Sequence, residues 1–156
     1  QETMSRLYPP GARLTYILGD VRDLSAITTA ADGCDAVIHA AALKRVEVGE
    51  YNPIEMARTN VDGAINVIEA AADANVRKVV ALSSDKACQP LNAYGASKLL
   101  AEKLFLAANN MLGPTRTAPK FAVTRYGNVS GSQGSVIPRW RTMLNEGDTV
   151  LPLTDP

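Results

Sequence analysis

Hydrophobic and polar positions switch between two periods along the chain, and the switches predict its elements. Residues 13–18 partly alternate and end at Gly19-Asp20, predicting a short strand that runs into a loop. Leu24–Ala31 reads as a short helix with Asp23 as its N-cap. Residues 35–39 predict a compact strand, followed by the small-residue run Ala40-Ala41-Ala42. After a loop, Pro53 suits the first turn of a helix. On that helix Ile54, Ala57, Val61, Ile65, Ile68 and Ala72 recur at helical spacing along one face. Residues 76–83 carry the apolar run Val79-Val80-Ala81-Leu82 and predict a buried strand. A long helix is expected over 94–109, a strand over 120–126 and a further helix over 137–145.

Strand and helix alternate throughout, which requires crossover connections and a parallel sheet. The expected class is α/β, a doubly wound Rossmann-type domain, and the unbroken run at Val79–Leu82 fits a sheet covered on both faces. Gly19, Ala40, Ser83 and Tyr126 close predicted strands, so they are expected along one sheet edge lining one crevice. A dinucleotide fold opens with a strand, a Gly-rich turn and a helix that seats a pyrophosphate. No G-x-G-x-x-G pattern precedes Arg13. Residues 1–156 therefore read as a single partial domain, lacking the first βα(β) unit and the C-terminal substrate-lid region. The start of a substrate-binding region is expected near 128–156. The alternative is a naturally short α/β domain. There are no internal repeats, and residues 113–119 read as a surface loop.

Composition narrows the partners. Sixteen basic side chains balance sixteen acidic ones, which leaves no electrostatic footprint for nucleic acid or an anionic membrane. Aromatic content of 5% offers little for stacking single-stranded bases. Cys34 and Cys88 make no disulfide framework and read as reduced thiols of a cytoplasmic protein. No apolar run approaches the ~18 residues of a membrane span, and no metal-ligand spacing occurs.

Tyr94-Gly95-Ala96-Ser97-Lys98 puts a phenol and an ammonium four residues apart, on one helix face. A cation beside a phenol favours the phenolate, which can take a proton from a sugar hydroxyl as hydride leaves the same carbon. This pair resembles the catalytic signature of the short-chain dehydrogenase/reductase superfamily. Asn60-Val61-Asp62-Gly63-Ala64-Ile65-Asn66-Val67 is similar to the helix signature of its extended, nucleotide-sugar branch, and Gly19-Asp20-Val21-Arg22-Asp23 to that branch's adenine-binding loop. Ser83-Ser84-Asp85-Lys86 is the most informative segment. An epimerase of this branch needs only a hydroxyl residue beside the tyrosine, whereas a dehydratase also needs an acid and a base on the same loop. Retaining 4,6-dehydratases present Asp-Glu there; Asp85-Lys86 resembles the inverting UDP-N-acetylglucosamine 4,6-dehydratases. Ala40-Ala41-Ala42-Leu43-Lys44, Ala107-Ala108-Asn109-Asn110, Arg125-Tyr126-Gly127-Asn128-Val129 and residues 131–138 are similar to the same family.

The resemblance implies an NADP-dependent enzyme acting on a UDP-N-acetylhexosamine, as a homo-oligomer. Its implied catalytic residues are Ser84, Asp85, Lys86, Tyr94 and Lys98. Tyr94, assisted by Lys98, would deprotonate the C4 hydroxyl, and Ser84 would hydrogen-bond the C4 oxygen. Lys86, partly buried near Lys98, would remove the C5 proton, and a protonated Asp85 would assist loss of the C6 hydroxyl. Cofactor contacts would come from Asp20, Val21, Ala40, Ala41, Lys44, Asn60, Ser83, Val129 and Gln133, together with Tyr94 and Lys98. Lys44, Asn128 and Val136 would meet the substrate. His39 and Cys88 read as structural and packing residues, and Arg45 as a solvated charge. Two rival readings stand: a UDP-sugar 4-epimerase or retaining dehydratase, against which Lys86 argues, and a noncatalytic nucleotide-sugar or NADP-binding regulator, against which the intact Ser84, Asp85, Lys86, Tyr94 and Lys98 set argues. Leu99, Leu100, Leu104 and Phe105 would serve the core and an interface together.

Overall fold

The computed structural model describes residues 14–113, 118–132 and 135–153. In chain order it contains α1 (Leu24–Ala31), β1 (Ala36–His39), α2 (Val46–Tyr51), α3 (Pro53–Ala57), a π-helical turn (Arg58–Asp62) and α4 (Gly63–Asp73). Then follow β2 (Lys78–Leu82), a 3₁₀ turn (Asp85–Ala87), α5 (Ala93–Met111), β3 (Lys120–Thr124) and α6 (Val136–Asn145). The strands form one parallel sheet in the order β1-β2-β3. His39 lies opposite Ala81 and Leu82 opposite Thr124, so all three strands end at the same edge. That edge carries Ala40, Ser83 and the segment reaching Tyr126, whose carbonyl accepts from Asp85 N at 3.0 Å. Gly19 and Asp20 share a cleft with Ala40 and Ala41. The expected common edge is therefore present, in a Rossmann-type α/β arrangement.

Local chemistry explains where the helices start. Asp23 Oδ1 accepts from Ala26 N at 3.1 Å, capping α1 as its sequence predicts. Asn92 Oδ1 accepts from Gly95 N at 2.8 Å, and Glu50 Oε1 accepts from Ala93 N at 2.6 Å, so two side chains satisfy the first turn of α5. Near its other end, Asn109 donates to Phe121 O at 3.0 Å and accepts from Phe121 N at 2.9 Å. That amide holds β3 to α5 as a second ladder partner would.

Four expectations change. Residues 14–18 form no strand, and Leu18 is fully exposed. Backbone becomes a strand only through ladder bonds, and the sheet pairings join β1, β2 and β3 alone. The helix expected from Pro53 onward is broken by the π turn, whose extra residue rotates everything after it. Its buried positions are Met56, Asn60, Gly63, Ala64, Val67, Ala70 and Ala71, while Ile54 and Ile65 stay exposed. Finally, the sheet is covered on one face only among the described residues. Val79, Ala81 and Phe121 pack on Ala64, Val67, Ala71, Ala101, Phe105 and Ala108, whereas Ile38, Val80 and Ala122 face outward. Cys88 is also exposed rather than packed. Of the loop expected at 113–119, residues 114–117 lie outside the described residues.

His39, the only histidine, is buried at the end of β1 with its ring centroid 5.5 Å from that of Phe105. Burial, and secondarily the charge of Lys98, push its pKa from 6.5 down to about 4. The folded state thus refuses a proton that the unfolded chain accepts. Stability is full above pH 6.5 and falls as pH drops toward 4, by about 3 kcal/mol across the window. The urea midpoint is expected to decline between those pH values, and a His39→Phe variant to lose most of that slope. A midpoint constant over the window would contradict a buried neutral ring.

Candidate active site

The catalytic candidates meet where β2 gives way to α5. Ser84 Oγ accepts from Lys86 N at 3.2 Å, which opens the 3₁₀ turn, and donates to Asp85 Oδ1 at 2.9 Å. Lys86 Nζ lies 3.3 Å from the same carboxylate oxygen. Tyr94 and Lys98 follow on the buried face of α5, one turn apart. Gly95 makes this approach possible: a Cβ there would sit 2.3 Å from Lys86 O and 3.0 Å from Pro90 Cβ. Any side chain at 95 would drive the Asp85-Lys86 loop off the helix that carries the phenol.

Electrostatics refine the expected roles. Burial raises the pKa of Tyr94, with a hydrogen bond to Ser84 working in the opposite direction. Burial prevails, so the phenol is raised rather than lowered, and Lys98 Nζ donates to Leu82 O at 2.6 Å. Burial lowers the pKa of Lys98 itself, against the pull of Glu102. Asp85 is held below its ordinary range, first by Ser84 and then by Lys86, so it stands ionised rather than protonated. Lys86 keeps 41% of its side chain exposed, less buried than its expected role as a base requires.

A second group of residues lines a cleft of about 260 Å³ between Gly19–Val21 and the end of β1, walled by Ile38, Ala40 and Ala41. One helical stretch positions both of its loops. Asn60 accepts from Leu43 N at 2.8 Å and donates to Leu43 O at 3.0 Å, holding the backbone next to Lys44. The same amide donates to Ser97 Oγ at 2.9 Å, and Ser97 donates to Tyr94 O at 2.8 Å. Asn60 thus spends its polar atoms on protein groups that flank the site. Three residues on, a Cβ at Gly63 would lie 2.8 Å from Val21 Cγ1, so the absent side chain admits the first loop. Asn66 Nδ2 then donates to Val21 O at 3.0 Å. Asp20 is already engaged: Arg22 donates to it through its backbone N and guanidinium, and draws its pKa down to about 2. Arg22 also reaches Glu55 at 2.8 Å.

Asn128, Val129 and Val136 follow β3 and are exposed. The Asp85 N to Tyr126 O bond brings the start of their segment to the catalytic loop. Gln133 lies outside the described residues. Three contributors had gone unassigned in the sequence: Gly95, Glu102 and Arg125. Glu102 carried a readable signal, being a carboxylate four residues after Lys98 on the face of α5 that the apolar pattern buries.

A Tyr-x-x-x-Lys pair at the C-terminal edge of a parallel sheet, beside a small-residue cleft, defines a short-chain dehydrogenase/reductase architecture of the extended type. The chain belongs to the polysaccharide biosynthesis protein family, whose profile matches residues 4–156. It is 52% identical over 142 residues to the UDP-N-acetylglucosamine 4,6-dehydratase (inverting) of Campylobacter jejuni, covering 91% of this chain and 42% of that protein. It is 47% identical over 156 residues to the UDP-glucose 4-epimerase of Rickettsia conorii, covering 100% of this chain and 45% of that protein. The chain therefore spans less than half the length of these curated relatives. Among solved structures it is similar to DesIV, a dTDP-glucose 4,6-dehydratase from Streptomyces venezuelae with NAD and TYD bound. That match has a TM-score of 0.80 and 25% identity, covering 96% of this chain and 50% of the other.

Proposed function

We propose that the parent protein is an NADP-dependent UDP-N-acetylglucosamine 4,6-dehydratase that inverts C5, feeding surface-glycan synthesis. The observation that carries this reading is the contact of Lys86 with Asp85 on the loop against Tyr94 and Lys98. The cleft of Gly19–Val21 and Ala40-Ala41 fits the adenosine end of a nicotinamide dinucleotide, since small residues admit close backbone approach and Asp20 offers an acceptor. Tyr94, Lys98 and Ser83 would meet its nicotinamide-ribose end, and Lys44, Val129 and Gln133 would complete the contacts. When bound, the cofactor takes hydride from C4 and later returns it to C6. NADP rather than NAD is the form implied by family resemblance.

Tyr94 accepts the C4 hydroxyl proton, with Ser84 bonded to the same oxygen and Lys98 supplying positive charge. The resulting C4 ketone acidifies C5–H. Lys86 and Asp85 stand as an ammonium and a carboxylate 3.3 Å apart. Moving one proton between them gives a neutral amine and a carboxylic acid, the base and acid that elimination needs. Lys86 then takes the C5 proton while Asp85 gives its proton to the departing C6 oxygen, which leaves as water. A solvent-derived proton added at C5 from the opposite face would invert that centre. Lys44, Asn128 and Val136 would hold the UDP-sugar. The protein would work in the cytoplasm as a homo-oligomer, with exposed Leu100 and Met111 and half-buried Leu104 of α5 available for association.

The 47% identity to an epimerase favours a second reading, in which C4 is oxidised and re-reduced without loss of water. Mass spectrometry of UDP-N-acetylglucosamine incubated with the full-length parent and NADP⁺ separates them. A product lighter by one water supports the dehydratase; an isomer of unchanged mass, told from the substrate by its proton NMR spectrum, supports the epimerase and overturns the first reading.

A further inference from the structure

Tyr94, Lys98 and Glu102 form one buried stripe along α5, at intervals of a single turn. The third member has no part in the chemistry above, yet it is the most heavily bonded. Glu102 is only 6% exposed. Its Oε1 accepts from Ser83 Oγ and from Arg125 Nε at 2.8 Å, and its Oε2 accepts from Arg125 Nη2 at 2.6 Å. A buried carboxylate persists when its oxygens are met by charge and hydrogen bonds, and a two-pronged guanidinium is a strong way to meet them.

Glu102 and its two partners come from three places: the middle of α5, the residue just beyond β2 and the residue just beyond β3. Ser83 N also donates to Thr124 O at 2.7 Å, and Asp85 N to Tyr126 O at 3.0 Å, so the loops after β2 and β3 are zipped together beside the carboxylate. Ser83 adjoins Ser84 in the chain, and Arg125 precedes Tyr126-Gly127-Asn128. The groups facing Lys98 are few. From β1 comes His39, kept neutral by burial; from β2 comes the Leu82 carbonyl, 2.6 Å away. From α5 come Tyr94 and Glu102, and from beyond β3 Arg125, which reaches Glu102. Asp85 is exposed and paired with Lys86. Glu102 is thus the buried anion that offsets the desolvation of the Lys98 ammonium.

We propose that Glu102, gripped by Arg125, is a positioning residue for the oxidation step, fixing Ser83-Ser84 beyond β2 against the helix of Tyr94 and Lys98 and setting a buried carboxylate one turn from Lys98. This rests on the oxidation of C4 proposed above. The Lys98 ammonium must stay charged to stabilise a phenolate at Tyr94. Removing the carboxylate takes away the buried counter-charge one turn from that ammonium, while no residue assigned to the sugar is replaced. The loss is therefore expected in turnover and not in substrate affinity.

The test uses the full-length parent with Glu102→Gln, which keeps the shape and can still accept from Ser83, and with Arg125→Lys, which keeps the charge but loses the fork. Glu102→Gln is expected to lower kcat ~10–100-fold with KM changed less than about threefold. Its alkaline limb of kcat should move to lower pH, since Lys98 loses its proton more readily. Arg125→Lys should retain the wild-type alkaline limb with an intermediate kcat. An NMR titration of isotope-labelled Lys98 gives the same answer without turnover, with its proton lost at lower pH in Glu102→Gln. If the wild type turns over no nucleotide sugar, the functional reading fails while this titration still decides the role of Glu102. Should Glu102→Gln not fold, Arg125→Gln carries the same expectation for the Lys98 titration, because it unseats the carboxylate. A wild-type kcat and an unmoved Lys98 titration in a folded Glu102→Gln protein would overturn the proposal.

Discussion

Replacing Tyr94 with phenylalanine in the full-length parent is expected to abolish both halves of the reaction together. The substitution removes one oxygen from a side chain that is only 9% exposed and keeps the ring that packs there. Folding should be spared, which thermal unfolding would verify. In the proposed mechanism the missing oxygen is the acceptor for the C4 proton, and a positioned base contributes ~10²–10⁴-fold. Reduced cofactor should then fail to accumulate in a single turnover, and dehydration should fall by the same factor, since elimination waits on the C4 ketone. Ser84, which already bonds toward Tyr94 and Asp85, offers no equivalent base. Reduction of cofactor at the wild-type rate by Tyr94→Phe would remove the phenol from the mechanism.

Lys86→Ala is expected to split what Tyr94→Phe removes jointly. Lys86 Nζ touches Asp85 and no part of the Tyr94–Lys98 stripe is hydrogen-bonded to it among the described residues, so oxidation at C4 should proceed. Removal of the C5 proton loses its base, and Asp85 loses the neighbour that could hand it a proton. Both deficits act on elimination, which should fall by ~10²–10⁴-fold. Truncation leaves Asp85 held by Ser84 at 2.9 Å, so the loop should keep its course.

What was legible in the sequence follows from how local each determinant is. Tyr94 and Lys98 are four residues apart on one helix, and Asp85-Lys86 closes a strand with an apolar run, so their common location needed only periodicity. The N-cap at Asp23 is equally local, made by Ala26 three residues on. Residues 14–18 misled because a strand is a property of pairing, and their alternation carries no information about a partner. The π turn at Arg58–Asp62 was hidden for a related reason: Asn60 is drawn inward by Leu43 and Ser97, groups 17 and 37 residues away. Electrostatic states were the least legible. The side chain of Lys98 had been expected to serve Tyr94, but its ammonium reaches Leu82 O, sixteen residues back in the chain. Asp85 had been expected to hold a proton, yet Ser84 and Lys86 keep it ionised.

The most direct measurement is a single turnover of full-length Lys86→Ala with UDP-N-acetylglucosamine in deuterium oxide, following reduced nicotinamide by absorbance and the sugar by mass spectrometry. The wild type should release a dehydrated 4-keto-6-deoxy product carrying deuterium at C5. The variant should accumulate reduced cofactor with a sugar that has neither lost water nor gained deuterium at C5. Dehydration by Lys86→Ala at the wild-type rate, with the same label and stereochemistry at C5, would contradict the assignment of Lys86 as the base.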